Sequence, residues 1–312
     1  MTKSHTNTVI DLTSTVLSTD GTTMSYRSMG SGPSVIVIPG ALSMAADYAA
    51  FARALAEQFT VYTIERRGRG ESGPQGDDYS VVKEREDVLA LQQETGAAFL
   101  VGHSFGGLVA LEVARNNRAL TKIAVYEPGV SIDGSIPMGW MPGYEKKLAE
   151  KNYAGAFVEF LIGMGPERIS KIPHWYMKLL LPLIMSSHER KQMLGLLQEN
   201  LREHKEVARL DNSYENYQEI SAGVLLMYGG KDHTAQAERS MQRLAAVFPR
   251  SETKEFPKLD HFGIDKKAPR EVARAVSDYF LSDSPCFPCY FLSIRPFSSG
   301  GGPMYRARGR IT

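Results

Sequence analysis

The stretch VGHSFGG, Val101–Gly107, sets a lone serine among glycines where one apolar run stops and a helical pattern begins. AAFLV runs into it from the N-terminal side, and FGGLVALEVARNN follows with helical spacing at Leu108, Leu111 and at Val109, Val113. Three chemistries use small residues in such a place: a dinucleotide loop, a P-loop and a nucleophile turn. Ser104 occupies the second glycine position of a dinucleotide loop, and Leu108 stands where a P-loop needs its lysine. The stretch does satisfy G-x-S-x-G through Gly102, Ser104 and Gly106. Between strand and helix the chain must turn so tightly that the serine backbone is strained, and small neighbours avoid a clash. Ser104 is then lifted above the sheet edge as a nucleophile. The N–H of Phe105, at the helix start, points to where an oxyanion would form.

Working outward, further apolar runs end in Gly-containing loops and precede helical patterns. SVIVIPG (34–40) leads to a helix near 48–58, and FTVYTIERRGRG (59–70) to one near 80–94. TKIAVYEPG, GVLLMYGGKD and TKEFPKLDHFG repeat the arrangement. Such runs alternating with helices imply a mostly parallel, twisted sheet with helices on both faces. Near the start, Asp20-Gly21 lies between two alternating segments and reads as an antiparallel hairpin. GRGESG formally matches a dinucleotide fingerprint, but Pro74, Gly76 and two aspartates follow it where a helix should begin.

Between Val130 and Ala222 the strand signal vanishes and helical stretches separated by Gly and Pro take over. The expected organisation is a core of residues 1–129 and 221–282, a helical cap insertion of 130–220 over the carboxyl edge of the sheet, and a flexible tail of 283–312. The tail holds the Cys286-x-x-Cys289 pair, which has neither a second Cys pair nor a nearby His to complete a zinc site. In 312 residues with 43% hydrophobic and 23% charged content, a net charge of +1 points to no nucleic-acid or membrane-surface partner. No run reaches the length of a membrane span, and the Ser/Thr-rich start has no apolar core of a secretory signal. A soluble cytoplasmic protein of open oligomeric state is the expectation.

A serine hydroxyl needs a base to take its proton and a carboxylate to orient that base. Of seven histidines, His261 in LDHFG lies in a loop after the last strand signal, at the same sheet edge as Ser104. His103 adjoins the serine but points elsewhere. For the acid, Asp232 in YGGKD is preferred, because Ser104, Asp232, His261 is the chain order of this architecture. Glu127 in VYEPG also ends a strand and is the alternative acid, otherwise a loop anchor beneath the insertion; Asp260 is a weaker one.

GHSFGG, ERRGRGESG and YGGKD…DHFG together make the chain resemble the α/β-hydrolase superfamily, from about Thr8 to Leu281. The resemblance implies the α/β-hydrolase fold with a helical cap, and an oxyanion hole completed by the amide after the third strand's terminal glycine. Here that segment is Pro39-Gly40-Ala41 in place of the usual His-Gly, and Ala41 supplies the N–H. Glu65 stands where relatives often carry Asp, with Arg67 and Ser72 bracing the loop. The implied activity is carboxylesterase-like hydrolysis of a small to medium, largely apolar ester, with no metal or organic cofactor. C–C bond hydrolases, lactonases, thioesterases and cofactor-free haloperoxidases or perhydrolases share the triad, and a hydrolase-like ligand-binding receptor is the reading from another class. In the insertion Trp140, Trp175 and Met177, with Met164, Tyr176, Leu180 and Met185, are candidates to line an apolar pocket or to pack the helices.

Overall fold

In the computed structural model, residues 11–165, 169, 171–231 and 234–282 are described. Asp232, Cys286 and Cys289 lie outside them, as does the expected tail. The eight strands are β1 (Leu12–Leu17), β2 (Thr23–Gly30), β3 (Ser34–Ile38), β4 (Thr60–Ile64), β5 (Phe99–His103), β6 (Lys122–Tyr126), β7 (Gly223–Gly229) and β8 (Ser251–Phe256). They form one sheet in the order β1-β2-β4-β3-β5-β6-β7-β8. From β4 to β8 all pairs are parallel, while β1 and β2 extend the sheet as an antiparallel edge. The Asp20-Gly21 hairpin is present: Leu17 pairs with Thr23, and Gly21 takes the positive φ that a tight turn needs.

The continuous apolar strands are explained by burial on both faces. Ile36 and Ile38 face a layer containing α2 (Val81–Thr95) and α3 (Phe105–Ala114), together with Leu100, Ile123, Val125 and Leu226. Val35 and Val37 face the opposite layer, with α1 (Ala49–Leu55), and share it with Val101, Ala124, Leu225 and Met227. Each fully buried Val or Ile contributes roughly 1.5–3 kcal/mol.

Between β6 and β7 the chain runs through α4 (Met141–Ala149), α5 (Tyr153–Met164), α6 (His174–Ile184), α7 (Ser187–Gly195) and α8 (Leu197–Arg209). Asn152 caps α5 by accepting from Gly155 N–H at 3.0 Å, and Ser186 and Glu189 form a reciprocal cap on α7. Leu42, four residues beyond β3, packs in one apolar cluster with Trp140, Tyr144, Phe157, Met177 and Leu201 from these helices. Among the described residues no helix is long and apolar enough to cross a membrane. After β7 come α9 (Ala235–Val247), β8 and α10 (Pro269–Leu281).

Register brings the carboxyl ends of the central strands to a common edge. Ile38 pairs with Gly102, His103 with Tyr126, and Tyr126 with Met227. The loop after β3, Ser104, Glu127 and Gly229 therefore sit side by side. β4 and β5 flank β3, so the strand order reverses there, and such a switch point leaves a crevice for ligands.

Candidate active site

Ser104 joins β5 to α3 with φ +53° and ψ −123°, a conformation costly for a residue carrying a Cβ. It is held there from both sides: its N–H donates to Tyr126 O at 3.0 Å, and its carbonyl accepts from Gly129 N–H at 2.8 Å. The glycines around it are explained by space. A Cβ on Gly106 would lie 2.2 Å from Ile38 O, and one on Gly102 2.4 Å from Gly106 O. Phe105 is the first residue of α3, so its N–H has no intrahelical acceptor. The Pro39-Gly40-Ala41 loop comes directly alongside, since a Cβ on Gly40 would stand 3.2 Å from Ser104 Cβ.

His261 lies beyond β8 and faces the same edge. Its Nδ1 donates to Glu127 Oε2 at 2.7 Å. Glu127 Oε1 in turn accepts from Gly229 N–H at 2.9 Å, so both carboxylate oxygens are committed. A carboxylate only accepts, so the proton sits on Nδ1 and Nε2 keeps its lone pair. Glu127 reaches this position from a strained backbone, φ +42°, anchored by its N–H on Met227 O at 2.8 Å. Partial burial pulls the imidazole pKa down, but the bond to Glu127 and the charges of Glu127, Asp265 and Asp260 outweigh it and raise the pKa above its ordinary value. Among the described carboxylates Glu127 is the one hydrogen-bonded to His261, and the preferred Asp232 lies outside the described residues. Asp260 is turned away, capping Phe262 N–H at 3.0 Å and pairing with Lys267.

His103 does point away from the serine, and it makes a link that sequence reasoning missed. Burial holds it neutral, with its pKa well below normal. Its Nε2 donates to the backbone carbonyl of His261 at 2.9 Å, so Nδ1 must accept, from Tyr48 O–H at 2.5 Å. Tyr48 Oη then accepts Gly40 N–H at 3.0 Å. This wire ties the loop beside Ser104 to the backbone of His261 through groups that are fully satisfied. Tyr48→Phe keeps the ring and strands both Gly40 N–H and His103 Nδ1. A loss of about 1–3 kcal/mol in chemical denaturation is the expected outcome.

The ERRGRG segment also explains itself. Arg67 is held by Asp87 at 2.6 Å and Asp20 at 2.8 Å, and Ser72 Oγ donates to Glu65 O at 2.6 Å. Glu65 accepts Ala45 N–H at 3.0 Å, with burial raising its pKa. Of the pocket candidates, Trp140 and Met177 are buried in the cluster that includes Leu42. Trp140 packs edge-on to His204 at 5.1 Å and donates to Pro137 O. Trp175 is different: it is 67% exposed and stands against Tyr176, so the structure does not bring it to the Ser104 group.

A sequence model of the alpha/beta hydrolase family matches residues 35–275. An alpha/beta hydrolase from Sphaerobacter thermophilus has a similar structure, with a TM-score of 0.72 and 28% identity, over 86% of this chain and 100% of that one. An enol-lactonase from Burkholderia xenovorans is similar in fold, with a TM-score of 0.66 and 18% identity, over 86% of this chain and 100% of its own. A curated Mycobacterium tuberculosis protein is 32% identical over 129 residues, which span 36% of this chain and 37% of that protein.

Proposed function

The chain belongs to the alpha/beta hydrolase family, and on that premise we propose that it is a serine hydrolase acting on a small to medium, largely apolar ester through an acyl-enzyme on Ser104. The observation that carries this reading is the 2.7 Å bond from His261 Nδ1 to Glu127, beside a serine held on a strained elbow at the same sheet edge. Glu127 fixes the tautomer, so His261 Nε2 takes the serine proton as Oγ attacks the carbonyl carbon. The amides of Ala41 and Phe105 receive the developing oxyanion. The imidazolium that forms is stabilised by Glu127 and returns its proton to the leaving alcohol. Water then attacks the acyl-enzyme by the same route in reverse. No metal or organic cofactor enters these steps.

Support for an apolar acyl group comes from the helices between β6 and β7, proposed here as the cap. Their apolar cluster includes Leu42 of the loop beside Ser104, and Trp140 and Met177 lie within it. A series of p-nitrophenyl esters of increasing chain length, with acid quench and mass measurement of the intact protein, tests the proposal. The expected result is turnover that rises from acetate to a medium chain, with a transient mass gain equal to one acyl group. No turnover and no acyl adduct across the series would instead favour a ligand-binding role. An adduct with transfer to added alcohol would make the protein a transferase.

A further inference from the structure

We infer that Arg66 is the positioning residue of the oxyanion hole, holding the Gly40–Ala41 peptide in its working orientation and tying it to the helices between β6 and β7 through Glu203. The inference rests on the serine hydrolase reading above and names a residue that the reading does not use.

Arg66 is fully buried, and its guanidinium has five oxygen partners within hydrogen-bonding reach. Nη1 donates to Gly40 O at 3.0 Å and to Pro39 O at 3.3 Å. Nε and Nη2 hold both oxygens of Glu84 at 3.2 and 3.0 Å, and Nη2 also pairs with Glu203 Oε1 at 2.6 Å. A guanidinium carries five N–H groups in one rigid plane, so its orientation is over-determined.

The bond to Gly40 O matters because of covalent geometry. The carbonyl of Gly40 and the N–H of Ala41 belong to the same planar trans peptide, in which C=O and N–H point in opposite directions. Fixing Gly40 O toward Arg66 therefore fixes Ala41 N–H on the other side of the peptide. That loop stands against Ser104, given the 3.2 Å separation at Gly40. From the same guanidinium, Cζ lies 4.6 Å from the ring centroid of Phe105, the residue that supplies the second donor. Arg66 thus contacts the peptide or side chain of both proposed oxyanion donors. Tyr48 holds Gly40 N–H from the other end of the residue.

Glu203 extends this contact. It sits on α8 and is fully buried, and its Oε1 is shared by Arg66, Arg69 at 2.6 Å and Gln75 Nε2 at 3.1 Å. One carboxylate therefore joins the helical segment to the arginine that orients the peptide. Two cations, Arg66 and Arg69, face two carboxylates, Glu84 and Glu203, and Tyr79 O–H donates to Glu84 at 2.9 Å. The buried cluster is charge-balanced, which permits its burial.

Arg66→Lys separates positioning from structure, since it keeps the cation but not the planar fork. With an aryl ester, the expected result for R66K is a kcat lowered about 10–100-fold with KM within about threefold, and unfolding that remains cooperative. Because orphaned carboxylates can unfold the protein, the charge-matched variant R66M/E84Q, which leaves Arg69 paired with Glu203, is measured beside it, and the same loss in kcat at unchanged KM is expected. A kcat for R66K within about twofold of the parent, at full occupancy of the folded state, overturns the inference. Hydrogen exchange of the Ala41 amide gives a readout independent of turnover: faster exchange in R66K supports the inference, and unchanged exchange overturns it. If the parent neither turns over esters nor forms an adduct, the serine reading fails, and the exchange measurement still decides the role of Arg66.

Discussion

Ser104→Ala is expected to lower kcat for an aryl ester by about 10⁵–10⁶-fold, because the proposed acyl intermediate forms on Ser104. What remains is the acceleration due to substrate binding and the two amides, on the order of 10³-fold over water. The variant keeps a Cβ, so the strain at φ +53° is unchanged, and the supports from Tyr126 O and Gly129 N–H involve only the backbone. Stability in urea should therefore stay within about 0.5–1 kcal/mol of the parent. A kcat within about tenfold of the parent would remove Ser104 from the mechanism.

Glu127→Gln is the second large effect, about 10³–10⁴-fold in kcat. The parent carboxylate accepts from two donors, Gly229 N–H and His261 Nδ1–H. A glutamine has one oxygen and one NH₂ group, so one of those donors must meet a donor. Either the loop loses its anchor, or His261 reverses its tautomer and presents N–H to the serine. The pH profile moves as well. In the parent, Glu127 raises the His261 pKa above its ordinary value, and the neutral imidazole is the proposed base. Activity is therefore expected to fall on acidification through a pKa above that of an ordinary imidazole. Removing the charge lowers that pKa, so the residual activity of the variant extends to lower pH. Asp232→Asn is the matched control, with kcat expected within about threefold of the parent. The opposite pattern, a collapse in D232N and near-normal E127Q, would return the acid to Asp232.

The choice between these two acids was left open by the sequence, while other features were legible in it. The central strands β3, β5, β6 and β7 were legible because they are apolar, buried and followed by Gly-containing loops, and Gly102, Ser104 and Gly106 announced the elbow by spacing alone. The place of His261 in the loop after the last strand was legible as well. Chain order favoured Asp232, which lies outside the described residues. Among the described residues the carboxylate bonded to His261 comes from the end of β6 and crosses to Gly229 of β7. That crossing depends on the Tyr126–Met227 register and on a positive φ at Glu127, neither of which a pattern of residue types encodes. Arg66 was hidden for a similar reason. In ERRGRG three arginines look alike, and only the fold shows that Arg67 braces Asp87 while Arg66 reaches the peptide after β3. Trp175 looked like pocket material because an aromatic residue on a helix usually finds a core, but its position on α6 faces outward.

The most direct test of the central claim is covalent labelling with a fluorophosphonate, which requires a serine activated by a base, followed by digestion and peptide mass mapping. The expected result is one adduct on the peptide containing Ser104, formed in the parent, slowed in E127Q and absent in S104A. An unlabelled Ser104, or an adduct elsewhere that persists in S104A, would contradict it.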